Sequence, residues 1–144
     1  MVLLGAVGVV SGLLLAAARA AADPLPAFDI TAHCHRVGTA ADRSLSIEVL
    51  CRQQEEAAMH VLSTLSLASP IGRYCLSLAE AAGGSYDIML GCIGQEEAAA
   101  RRVNETPAGK EVRARCADIA AIAGGSNVIM LDCIEDAQGA KASP

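Results

Sequence analysis

The chain has 144 residues, a formal net charge of −5 and only three aromatic residues, Phe28, Tyr74 and Tyr86. That length admits one domain, and an acidic balance without any basic run argues against nucleic acid as a partner, because a phosphate-binding surface needs concentrated positive charge. The scarcity of rings argues equally against recognition by stacking and removes the aromatic anchors that tight interfaces favour.

Residues Val2 to Ala18 form an apolar and small-residue run, followed by Arg19 and then Ala20 and Ala22 before Asp23. An apolar core followed by an Ala-x-Ala site predicts a signal peptide over 1–22, cleaved before Asp23, although no Lys or Arg precedes the run. Left uncleaved, the segment would be a membrane anchor, for which about 17 residues is the lower edge of spanning length. The expectation is a mature domain over 23–144, periplasmic or secreted, with no membrane association after cleavage.

Six cysteines follow as three pairs, Cys34 with Cys51, Cys75 with Cys92 and Cys116 with Cys133, in copies 41 residues apart. A fixed period marks a repeat architecture, and an even cysteine count behind an export signal predicts disulfides. The middle copy reads as a helical hairpin. Ser69 caps a helix that begins at Pro70; Cys75, Leu78, Ala79 and Ala82 form its apolar stripe; and Gly83 or Gly84 ends it in a left-handed conformation. Ser85 caps the return helix, with Ile88, Met89, Cys92 and Ile93 as the buried stripe, running to about Val103. Cys75 and Cys92 lie at similar distances from the turn, so a bridge within the hairpin closes without shear. The third copy repeats this with Thr106 as cap, Pro107 as first residue, Gly124 and Gly125 as stop and Ser126 as second cap. In the first copy Asp42, Arg43 and Ser44 replace Gly-Gly-Ser, so the tight turn is less well specified there. The predicted fold is all-α, three tandem disulfide-stapled αα-hairpin repeats of about 41 residues over 27–67, 69–104 and 106–139, with a short disordered C-terminal tail.

The order of Cys, an Ala-rich turn, "GGSY", a further apolar turn, Cys and then Gln-Glu-Glu resembles small exported cysteine-paired repeat proteins of proteobacteria. The resemblance spans Cys34 to Ala137 and is best in the second copy; the first lacks Gly-Gly, and the third lacks the Tyr and the Gln-Glu-Glu. It implies an exported helical protein and supplies no catalytic residues.

Candidate chemistry is sparse. His33 and His35 flank Cys34 and could offer imidazoles to a metal, but adjacent helical positions diverge and Cys34 has a partner at Cys51. No Cys-x-x-Cys occurs, which removes the redox and haem-attachment signatures. Ser85 and Ser126 read as caps rather than nucleophiles. The stretch "QEEAA" occurs twice, so Gln54, Glu55, Glu56, Gln95, Glu96 and Glu97 are candidates for a repeated acidic ridge that meets a protein partner or a cation, and Glu96 stands where it could pair with Arg73. No calcium loop accompanies them. The function expected is a structural or protein-interaction module without catalytic, cofactor or metal site. The alternatives are a small-ligand or metal-binding protein, or a hydrolase using paired carboxylates among Glu55, Glu56, Glu96 and Glu97.

Overall fold

Serine and glycine punctuation divides the chain into helices, and the structure, a computed structural model, describes residues 24–142 of it. The expected signal peptide lies outside the described residues. The described residues form six helices: α1 (Ile30–Ala40), α2 (Leu45–Leu62), α3 (Pro70–Ala81), α4 (Tyr86–Glu105), α5 (Lys110–Ile122) and α6 (Asn127–Ala142). Each opens where a side chain satisfies an otherwise unpaired first-turn amide. Asp29 accepts from Ala32 N, Ser44 from Ile47 N, Ser69 from Gly72 N and Ser85 from Ile88 N.

The exception is α5, whose cap is Gly109 with no side-chain hydrogen bond. Thr106 was the expected cap, but its hydroxyl turns back to donate to the Arg102 carbonyl, closing α4 instead. The Arg113 guanidinium donates to the carbonyls of Val103 and Thr106, which holds this connection out of helical geometry and delays α5 by three residues. At the C-terminal end α6 runs through Ala142, beyond the residue where a tail was expected to begin; residues 143–144 lie outside the described residues.

The three bridges join Cys34 to Cys51, Cys75 to Cys92 and Cys116 to Cys133, with Cα separations of 5.5, 5.6 and 5.6 Å. Each therefore closes its own hairpin, as equal distances from the turn require. The return helices pack in a row, α2 on α4 and α4 on α6, whereas α1, α3 and α5 each pack on their own return helix and not on one another. Two apolar clusters fill the joints. One holds Ala58 and Leu62 of α2, Cys75 and Ala79 of α3, and Tyr86, Met89 and Ile93 of α4. The other repeats it one joint on, with Ala99, Val103, Cys116, Leu131 and Ile134. Small side chains and sulfur make up much of both, so little apolar area is available and covalent staples carry a larger share of stability.

The turns share one conformation. Gly83, Gly84, Gly124 and Gly125 have φ of 88°, 83°, 79° and 88°, and in the first copy Asp42 and Arg43 adopt 54° and 58°. A left-handed φ costs an L-residue about 1–2 kcal/mol, less for Asp, which tolerates it. Arg43 is exposed and enters no hydrogen bond or ion pair among the described residues. Arg43→Gly is therefore expected to stabilise the chain by about 0.5 kcal/mol, net of the extra entropy glycine has when unfolded; a lower urea midpoint for the variant would contradict this account of the turn.

Burial also departs from the expected stripes. Cys75, Ala79, Met89 and Ile93 are buried, but Leu78 and Ile88 are 41% and 42% exposed, and Ala82 is exposed as well. Helix α4 packs on the preceding return helix α2 as well as on α3, which takes Met89 and Ile93 into the joint and leaves Ile88 outside it, while α3 gives Cys75 and Ala79 to that cluster and leaves Leu78 open.

Candidate functional site

The twice-written Gln-Glu-Glu has a structural role in its middle residue. Glu55 and Glu96 are each only 3% exposed. Glu55 accepts from the Ser85 hydroxyl at 2.5 Å through one oxygen and from the Tyr86 backbone N–H at 2.6 Å through the other. Glu96 does the same one repeat later, accepting from Ser126 Oγ at 2.6 Å and Asn127 N at 2.5 Å. Each serine in turn accepts from its own helix, from Ile88 N and Ile129 N. The carboxyl of one return helix thus reaches across the joint to the N-terminus of the next, where unpaired amides and the helix dipole favour a negative group. It is a capping arrangement divided between two repeats.

The clamp's residues do not all recur in the three copies. The register that carries Glu55 and Glu96 carries Ala137 in the third copy, which has no carboxyl to offer there. The register of Ser85 and Ser126 carries Ser44 in the first copy, where no preceding Glu exists and the turn lacks its glycines. Tyr86 is specific to the second copy for a separate reason. Its hydroxyl donates to the Pro26 carbonyl at 2.6 Å and accepts from Phe28 N at 3.1 Å, while its ring lies 4.8 Å from that of Phe28. The segment before α1 is thereby tied to the second repeat, and Phe28 packs so closely on Gly84 that a Cβ there would lie 3.1 Å from the ring.

The expected acidic ridge is accordingly corrected. Glu55 and Glu96 face inward, and only Gln54, Glu56, Gln95 and Glu97 remain at the surface. Adjacent carboxyls diverge by a helical step, so Glu55 with Glu56 and Glu96 with Glu97 do not converge on a common point. Glu96 does not meet Arg73, whose guanidinium donates to the Ala68 carbonyl.

The two histidines of the first repeat separate as well. His33 Nε2 lies 3.5 Å from Glu55 in a mostly buried position, whereas His35 Nδ1 lies 3.5 Å from Glu48 at the surface. A hydrogen bond from Arg52, opposed by some desolvation, holds the Glu48 carboxyl below its usual range. His33, Cys51 and Glu55 bring possible ligand atoms within 4.8 Å of one another, but the Cys51 sulfur is committed to its bridge and both Glu55 oxygens to the clamp. A disulfide sulfur is not a thiolate ligand, so these three do not form a metal centre.

What the structure brings together, and sequence reading missed, is an open apolar face. Val37, Leu78 and Ile119 occupy one register on α1, α3 and α5 and are 36%, 41% and 42% exposed. Ile47 and Ile88 on α2 and α4 are 38% and 42% exposed, and Ile129 is half-buried at the same register of α6. Each hairpin therefore presents one pair of branched or long apolar side chains on the same side. A groove of about 430 Å³ is lined by Val37, Ile47, Leu50 and Ile88, together with His33 and Gln54. Its counterpart in the third repeat, about 380 Å³, is lined by Arg115, Ile119, Ile129, Asp132 and Asp136. The sequence signal was available: apolar identity recurs every 41 residues at positions that the joint-facing stripe does not use. No family model, curated protein or solved structure matches this chain.

Proposed function

We propose that the protein is an exported, disulfide-stapled helical repeat module that binds another protein through its open face. One observation carries the reading. The pair Val37/Ile47 recurs as Leu78/Ile88 and Ile119/Ile129, apolar each time and left open to solvent in nearly every case. Packing within the chain does not require apolar side chains at solvent-exposed positions, and a contiguous exposed apolar surface is the usual mark of an interaction site. Repeat proteins commonly bind through side chains placed at equivalent positions of successive units. Three closed bridges and no free cysteine among the described residues support an oxidising compartment, as does the apolar segment with its Ala-x-Ala site. No helix among the described residues is long and apolar enough to cross a membrane.

A photoreactive amino acid placed at Ile88 is expected to cross-link a partner protein in cells that make this chain. The same group at Glu80, exposed on the opposite side of its hairpin, is expected to give none. Equal adducts from both positions, or none from Ile88, would contradict the open-face reading.

A further inference from the structure

The polar residues around the open face identify the chemistry of what it binds. Asp87 lines the first groove, together with His33 and the clamped Glu55, and Asp132 and Asp136 line the third, where Arg115 is the one basic side chain. None of these three aspartates enters an ion pair among the described residues. All three are exposed, so their charge is available to a partner. An apolar lining with unpaired carboxylates beside it is complementary to a helix that carries Leu, Ile or Val on one stripe and Lys or Arg beside it. An acidic segment would meet like charge there. A second copy is disfavoured on the same ground, since two such faces would oppose their aspartates in chains of net charge −5. The segment 1–22 fits poorly as well, having Arg19 as its only basic side chain.

We infer that the open face takes a cationic amphipathic helix of the partner protein, an inference that rests on the interaction reading above and adds the sign of the partner's charge.

The test titrates the isotope-labelled full chain with two synthetic helical peptides of identical leucine spacing, one with lysine and one with glutamate at the polar positions. The lysine peptide is expected to shift the amides of Val37, Leu78, Ile88 and Ile119, and its affinity to fall about tenfold between roughly 50 and 300 mM salt, as contacts with exposed charges are screened. The glutamate peptide is expected to bind at least about tenfold more weakly. Asp132→Asn with Asp136→Asn should weaken the lysine peptide several-fold while leaving the thermal midpoint in place. Equal binding of both peptides would overturn the charge inference yet leave an apolar docking face standing. Shifts centred elsewhere, on Glu56 or Glu111 for instance, or no binding at all, would overturn it too, and the cross-link from Ile88 then decides separately whether the face binds anything. A concentration-dependent dimer protecting Ile88 would assign the face to a second copy and overturn the inference as well.

Discussion

Replacing Glu96 with alanine is expected to destabilise the chain by about 2–4 kcal/mol, the range in which loss of a buried, fully used polar group falls. The carboxyl takes the Ser126 hydroxyl and the Asn127 amide at once, and Ser126 is itself 2% exposed. Truncation would leave two donors at a helix N-terminus without acceptors and without water to replace them, and would open a gap between α4 and α6. Glu96→Gln should lose less. Its amide keeps one acceptor oxygen for the Asn127 N–H, and the Ser126 hydroxyl can turn to accept from the amide nitrogen. Glu97→Ala, at the neighbouring exposed position, should stay within about 0.5 kcal/mol of the parent. Urea unfolding of the three variants checks the ordering. If Glu96→Ala cost no more than Glu97→Ala, the clamp would not join the repeats.

Reduction is the second large effect. Each bridge spans a sequence separation of 17, and closing a loop of that size lowers unfolded-chain entropy by roughly 3 kcal/mol per bridge on the loop-entropy estimate. Three such contributions rival the whole net stability of about 5–15 kcal/mol typical of a domain. Cys34, Cys75 and Cys116 are also fully buried, and the sulfurs of the last two fill the joint clusters, so replacement removes packing as well as a link. Strong thiol reductant is expected to abolish most of the helical circular dichroism at room temperature. Cys75→Ala with Cys92→Ala should lose about 3 kcal/mol while the other two bridges still form. A chain whose helicity and urea midpoint ignored reductant would refute the view that the core is too small to stand without staples.

The hairpins were legible because their punctuation is local. Ser69 before Pro70, glycines at the turn and equal distances to the two cysteines all act within one copy. The clamp was harder to see. Glu55 and Glu96 look like surface residues in any single helix, since nothing local shows that the next repeat's N-terminus will lie against them. Only the recurrence of Glu at one register, with a serine 30 residues later each time, marks them as joint residues, and that signal appears when the copies are set in register. Leu78 and Ile88 failed for a related reason. Periodicity shows that a face is apolar but not which of two neighbouring faces meets the adjoining repeat, and here the joint took Ala79, Met89 and Ile93 and left the others open. Thr106 shows the remaining kind of miss, a suitable cap captured by the end of the preceding helix when Arg113 bridges the connection.

The measurement that tests this account most directly is a peptide mass map, under non-reducing conditions, of the protein recovered from cells that make it. The account predicts a chain starting at or near Asp23 with bridges Cys34 to Cys51, Cys75 to Cys92 and Cys116 to Cys133 and no free thiol. Free cysteines, bridges running between repeats, or a retained segment 1–22 would contradict an exported stack of self-stapled hairpins.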